Sequence, residues 1–230
     1  MSRISNITSK SATRKIFAAE LVGTFLIVVF ATGSVVIDAK LGGTLGEPFA
    51  AAAPAVAVAL MVYAFGGISM AHFNPAVTVA FFVTGHITKS LLPVYLTAEV
   101  IGALLAGTFV ATFVGTEANL GANSPDYSFP LPLVFGIEVL ATALLMAVIY
   151  AVVITKGLMG FSGVAIGGII GLDILLLSFI SGASMNPARA LAPALLSGAV
   201  GDLWLYWSAT FAGSVAVALV VAKKKLLLAR

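Results

Sequence analysis

The sequence contains no cysteine. Disulfides, thiolate metal sites and thiol nucleophiles are therefore excluded. Charge is also scarce. Asp, Glu, Lys and Arg make up 9% of the 230 residues, against about a quarter in a soluble domain. So few charges cannot give a globule of this size a polar surface, which places the chain in a bilayer. No Ser–His or Cys–His spacing supports covalent catalysis. The chain is expected not to be an enzyme and to need no cofactor or metal. The net charge is only +3, and the basic residues cluster at the two ends beside apolar helices. They read as membrane flanks, so no nucleic acid partner is expected. The segment from Met1 to Lys10 lacks the apolar core of a signal peptide, so the first helix is expected to be retained.

What the chain has is hydrophobicity: 60% apolar residues and a mean hydropathy of +1.13. Six segments reach the roughly 20 residues needed to cross a bilayer. They are Ile16–Ile37, Phe49–Gly67, Leu91–Val114, Leu131–Thr155, Phe161–Ile180 and Leu203–Ala222. Two shorter apolar stretches remain, Ala76–Val83 and Ala188–Leu196. At 1.5 Å per residue each covers roughly half a bilayer.

Both short stretches begin at the same tripeptide, Asn74-Pro75-Ala76 and Asn186-Pro187-Ala188, 112 residues apart. Asn is a strong N-cap, and proline suits the next position because it has no N–H to lose. Each tripeptide therefore predicts the start of a re-entrant half-helix. The loop before each one is backbone at membrane depth, tolerated only when buried in protein or lining a wet cavity. Three spans per half means that the second half enters from the opposite side, an inverted repeat. Glu20-Leu21-Val22-Gly23-Thr24 in the first span matches Glu138-Val139-Leu140-Ala141-Thr142 in the fourth.

The expected fold class is an all-α membrane protein with six transmembrane helices, two re-entrant half-helices and an inverted repeat. Residues 1–15 form a cytoplasmic N-terminal segment, 16–222 one channel domain and 223–230 a basic cytoplasmic tail. Within the domain, repeat one covers 16–114, a linker 115–130 and repeat two 131–222. The linker, rich in Gly, Asn, Ser, Pro and Asp, reads as a surface loop. With the N-terminus inside, the inner segments hold Arg3, Lys10, Arg14, Lys15, Lys89, Lys156, Lys223, Lys224, Lys225 and Arg230, and the outer loops only Lys40. Asp38, Glu47, Glu117, Asp126 and Asp202 fall outside. A cell-membrane location with both termini cytoplasmic is expected.

Two inverted half-helices must meet N-terminus to N-terminus near the midplane. Each end carries roughly half a positive elementary charge, which repels cations and attracts the oxygen of a neutral dipole. With the Asn oxygens used in capping, the Asn74 and Asn186 amide groups are expected to be free to donate into a lumen. Arg189 is the basic residue deep in the fold, at a cost of at least about 2.5 kcal/mol on insertion scales. It is expected to face a wet cavity towards the outer mouth; the alternative is snorkelling to the interface.

From Ala18 to Ala222 the sequence resembles the aquaporin, or major intrinsic protein, family. The resemblance is carried by His72-Phe73-Asn74-Pro75-Ala76-Val77-Thr78 and by Ser181-Gly182-Ala183-Ser184-Met185-Asn186-Pro187-Ala188-Arg189. It implies an outer filter of four positions, here Pro54, Ile174, Ala183 and Arg189. Water-selective members usually place Phe and His at the first two positions, and glycerol-conducting members a Trp at the first. This chain follows neither pattern. Glycerol-type members carry Asp directly after the Arg and another basic residue beyond it; here Ala190 and Ala194 stand there. Tyr206-Trp207 in span six again resembles the water side. The resemblance implies a homotetramer with one pore per subunit. Selectivity in pores of this type comes from diameter, lining donors and electrostatic barriers.

Ala71, His72, Phe73, Gly182, Ser184 and Met185 are further pore-lining candidates. His72 either packs by hydrogen bonding or lines the pore. His86, beside Lys89, is expected to be solvated. The resemblance favours Glu20 and Glu138 as structural acids accepting N–H groups from the loops before the half-helices. Glu99 is expected to pack against a neighbouring span, and Asp173 to face a neighbouring helix or protomer. The reading is a passive channel for water and small neutral solutes in a lipid bilayer, excluding protons and ions. A broader facilitator of glycerol, urea, ammonia, carbon dioxide, hydrogen peroxide or metalloid hydroxides is the alternative. An ion-coupled transporter would need a midplane cluster of ionisable groups, and the sequence offers isolated acids instead.

Overall fold

A computed structural model describes residues 9–155 and 157–228. Arg3, Lys156 and Arg230, and with them much of the expected N-terminal segment, lie outside the described residues, as does the side chain of Lys225. The described chain contains six helices long and apolar enough to cross a membrane. They are α1 (Lys10–Lys40), α2 (Gly46–Ser69), α4 (Leu92–Phe113), α6 (Leu131–Ile154), α7 (Ser162–Ser181) and α9 (Leu203–Leu228). A 3-10 turn at Met159–Phe161 leads into α7. The half-helices are α3 (Pro75–Val83) and α8 (Pro187–Ser197), with Pro75 and Pro187 at their first turns. Nine residues make about 13 Å of helix, so α3 covers half the hydrocarbon core. α1 and α9 run several residues beyond their predicted spans; Ser9 caps α1 by accepting from the Ala12 N–H at 3.2 Å.

The helices pack as two matching sets. α1 lies against α2 and α4, and α6 against α7 and α9. Glycine permits the closest approach of α1 to α4 and of α6 to α9. A Cβ on Gly102 of α4 would sit 2.5 Å from the Leu21 carbonyl, and one on Gly213 of α9 would sit 2.3 Å from the Val139 carbonyl. Gly102 is thus a helix contact. The two sets join through α2 and α7, where a Cβ on Gly167 would lie 2.3 Å from the Ala55 carbonyl. Phe30, Val56, Phe113, Leu176 and Val220 are exposed around the outside, a surface suited to lipid.

The linker differs from expectation. It includes α5 (Glu117–Gly121), one turn in which Ala118, Asn119 and Leu120 have positive φ. Leu120, Gly121 and Pro125 are buried. Leu120 packs with Val36 and Val110, and the Asp126 N–H donates to the Ile180 carbonyl at 3.0 Å. The linker is folded into the end of the bundle that carries Lys40 because its apolar residues bury there, a pattern its polar composition obscures.

Candidate functional site

α3 and α8 approach N-terminus to N-terminus. Asn74 Oδ1 accepts from the Ala76 N–H at 2.9 Å, and Asn186 Oδ1 from the Ala188 N–H at 3.0 Å and the Arg189 N–H at 3.3 Å. The caps are those the sequence predicts. The amide groups are not wholly free, however. Asn74 Nδ2 donates to the Met185 carbonyl at 2.8 Å, and Asn186 Nδ2 donates to the Phe73 carbonyl at 2.9 Å. Each asparagine therefore pins the opposite loop, leaving one amide hydrogen apiece. Sequence reasoning missed this exchange because it depends on the distance between the halves.

The loops feeding the half-helices adopt backbone that side chains normally avoid. Met70, Ala71 and Phe73 have φ of 69°, 54° and 52°, and Gly182, Ala183 and Met185 have φ of 83°, 42° and 54°. Such strain persists only where surrounding structure over-determines it. Two buried carboxylates do this. Glu20 accepts from the His72 N–H at 3.0 Å, the Phe73 N–H at 2.6 Å and the Ser69 hydroxyl at 2.5 Å. Glu138 accepts from the Met185 N–H at 2.6 Å and the Ser181 hydroxyl at 3.0 Å. The Tyr95 hydroxyl donates to the Ser69 carbonyl at 2.6 Å, and the Tyr206 hydroxyl to the Ser181 carbonyl at 2.7 Å. The sequence points to the two glutamates; the matching tyrosines and serines emerge only from the packing.

A cavity of about 60 Å³ lies between the helices where the loops meet. Asn74, Asn186, Ala71, His72, Phe73, Ser184 and Met185 line it, among apolar side chains from α1, α2, α6 and α7. A second cavity of about 130 Å³ adjoins it, lined by Glu47, Ser178 and Gly182 among others. Pro54, Ile174, Ala183 and Arg189 line both cavities and so mark the boundary between them. Pro75, Ala76, Pro187 and Ala188 are buried behind the loops and shape the helix starts. Pro54 also lacks the N–H that would bond the Ala50 carbonyl one turn earlier, and Ala50 lines the second cavity.

Arg189 does not snorkel. Its Nη1 donates to the Gly121 carbonyl at 3.1 Å and to Asn123 Oδ1. Asn123 in turn donates to the Gly182 carbonyl at 2.7 Å. The linker thus fixes the guanidinium, a role its surface-loop composition conceals.

His72 combines the two readings left open for it. Its ring stacks between Phe81 at 4.7 Å and Tyr95 at 4.4 Å, and it also lines the central cavity. Glu99 is fully buried and accepts from the Asn74 N–H at 3.3 Å and the Thr78 hydroxyl at 2.6 Å. It therefore serves the first half-helix as well as packing. His86 is more enclosed than expected: Nδ1 lies 2.7 Å from the Thr84 hydroxyl, and its ring meets Phe81 edge-on at 5.2 Å. Asp173 is 3% exposed and lies outside both cavity linings.

Residues 6–221 match the family model described as Major intrinsic protein. The chain is 41% identical over 200 residues to Aquaporin NIP1-1 of Zea mays, covering 86% of this chain and 70% of that one. It is 34% identical over 204 residues to Nodulin-26 of Glycine max, covering 88% and 74%. Its fold is similar to the X-ray structure of the aquaglyceroporin from Plasmodium falciparum, with a TM-score of 0.77, 22% identity and coverage of 92% and 96%. The doubled half-helix caps, the paired glutamate brackets and these matches agree: this chain belongs to the major intrinsic protein family of aquaporin channels.

Proposed function

We propose that the chain is a passive pore for water, with small neutral solutes as further cargo, and that it bars protons and other ions. The observation carrying this reading is the meeting of two helix N-termini at a cavity lined by Asn74 and Asn186. The two positive helix ends raise the energy of a cation there. A water accepting the remaining amide hydrogens turns its own hydrogens away from the centre. It cannot then take part in an unbroken donor chain along the pore.

Arg189 adds a fixed positive charge at the cavity boundary, where Pro54, Ile174 and Ala183 complete the selectivity filter. Pro54 and Ile174 bring neither an aromatic ring nor an imidazole to this ring of residues, which favours breadth. Broader neutral-solute conduction is the second reading, and it rests on that observation.

A division into repeats at 16–114 and 131–222 is supported by the matched brackets Glu20 to Phe73 and Glu138 to Met185. Lys10, Arg14, Lys15, Lys89, Lys223 and Lys224 stand at one end of the helix set and Lys40 at the other, which supports cytoplasmic termini in a cell membrane. The homotetramer rests on the family resemblance.

Stopped-flow light scattering on proteoliposomes tests the reading, with sucrose, glycerol and urea as osmolytes. Water flow is expected to exceed that of empty liposomes. Equal rates would remove the water assignment, and uphill uptake driven by a proton or sodium gradient would replace a channel with a transporter.

A further inference from the structure

The two halves differ sharply at one place on the inner side of the asparagines. His72, Thr78 and Glu99 form a buried chain, with His72 Nδ1 at 2.8 Å from Thr78 Oγ1 and Thr78 Oγ1 at 2.6 Å from Glu99 Oε1. The matching positions in the second half hold Ser184, Ala190 and Thr210. No such chain can form there: Ala190 has no hydroxyl, and Thr210 bonds back to the Tyr206 carbonyl at 2.6 Å. The inverted symmetry of caps, glutamates and tyrosines thus stops at this triad.

With Glu99 ionised, hydrogen-bond direction along the triad follows from donor counting. Glu99 Oε1 already accepts the Asn74 N–H, which can only donate. The Thr78 hydroxyl has one hydrogen, and it is directed to the same oxygen. Its oxygen can then only accept from His72. A neutral imidazole has one donor nitrogen and one acceptor nitrogen. With Nδ1 donating, Nε2 carries the bare lone pair. That Nε2 is buried and has no hydrogen-bond partner among the described residues, while His72 lines the central cavity.

We infer that Glu99 is a positioning residue that, through Thr78, holds His72 in the Nδ1–H form and so presents Nε2 as a hydrogen-bond acceptor to cargo in the inner half of the pore. The outer half and centre offer donors, from Arg189 and the asparagine amides. The inner half then offers an acceptor, and the matching cargo class is a neutral molecule that both donates and accepts. The stacking of the imidazole between Phe81 and Tyr95 fixes the ring plane, so the choice of tautomer decides what the pore meets. This inference rests on reading the central cavity as the conduit.

Nitrogen NMR on the full chain in lipid bilayers, with 15N-labelled histidine, tests it. There are only two histidines, and His86→Gln assigns the signals. At neutral pH, His72 is expected to show a protonated Nδ1 and a pyridine-like Nε2, with water-edited transfer reaching Nε2. Glu99→Leu frees the Thr78 hydroxyl to donate to His72 and is expected to move most of the population to the Nε2–H form. Thr78→Val, which removes the relay and keeps the shape, is expected to give a mixture. A wild-type Nε2–H form overturns the inference whether or not either variant folds. So does a tautomer unchanged in both variants, or a wild-type Nε2 that receives no magnetisation from water. The tautomer is read without any flux measurement. A chain with the expected tautomer and no water flow would sink the transport reading and leave the positioning role standing.

Discussion

Asn74 donates to the Met185 carbonyl at 2.8 Å while its own oxygen caps α3. One side chain thereby stabilises the start of one half-helix and the loop that feeds the other. Asn186 does the same in reverse through Phe73. The centre of the molecule is a pair of reciprocal hydrogen bonds between the repeats, so damage on one side is expected to reach both.

Asn186→Ala removes a cap contributing about 1 kcal/mol and a cross-bond of about 1 kcal/mol. The expected loss is roughly 2 kcal/mol, together with reduced water flow. Thermal unfolding in detergent measures the first and stopped-flow scattering the second. In an Asn74→Ala, Asn186→Ala double mutant the two losses should not add, because the bonds share one junction. Strict additivity would contradict a coupled centre.

Glu138→Gln keeps the shape and removes one acceptor. Glu138 takes the Met185 N–H on one oxygen and the Ser181 hydroxyl on the other. The glutamine amide must turn its donor towards one of them. A destabilisation of about 1–3 kcal/mol is expected, with lower water flow at unchanged protein content in the liposomes. Wild-type melting temperature and flow in this variant would show that the bracket is dispensable.

Asn123→Ala is expected to loosen Arg189 without touching its charge. The guanidinium keeps the Gly121 carbonyl and loses the Asn123 oxygen. The expected outcome is altered glycerol and urea permeability relative to water, with a smaller change in total water flow. Arg189→Ala should go further and weaken the barrier to cations, read as a dye-reported ion leak. If both variants retain wild-type solute ratios and tightness to ions, Arg189 is not part of the filter.

Gly167→Leu places a side chain where a Cβ alone would lie 2.3 Å from the Ala55 carbonyl. The backbones of α2 and α7 must separate, and overpacking of this kind costs about 1–3 kcal/mol. These helices carry Pro54 and Ile174, so solute selectivity should relax along with stability. Gly168→Leu, whose Cβ meets nothing within 4 Å, is the control and should behave as wild type.

Much of this molecule is legible in the residues. Span lengths follow from hydrophobic runs measured against a fixed bilayer thickness. The half-helix starts follow from Asn-Pro, because capping chemistry and the geometry of proline are local. The repeat is visible because both copies keep the same residues. The fully buried Glu20 and Glu138 announce themselves because a carboxylate inside a membrane span is costly unless it has partners.

What the sequence left open involves partners distant along the chain. The asparagine amides looked free, since nothing local reveals the carbonyls of Met185 and Phe73. The linker looked like a surface loop, since its composition hides that Leu120 and Gly121 are buried and that Asn123 grips Arg189. His86 looked solvated beside Lys89, since nothing local reveals that the Tyr150 ring of α6 lies 6.3 Å from its own. In each case, local chemistry determined which groups could donate or accept. The choice among available partners was made by tertiary packing, which brings together residues far apart in the sequence, 66 positions for Asn123 and Arg189 and 111 for Asn74 and Met185.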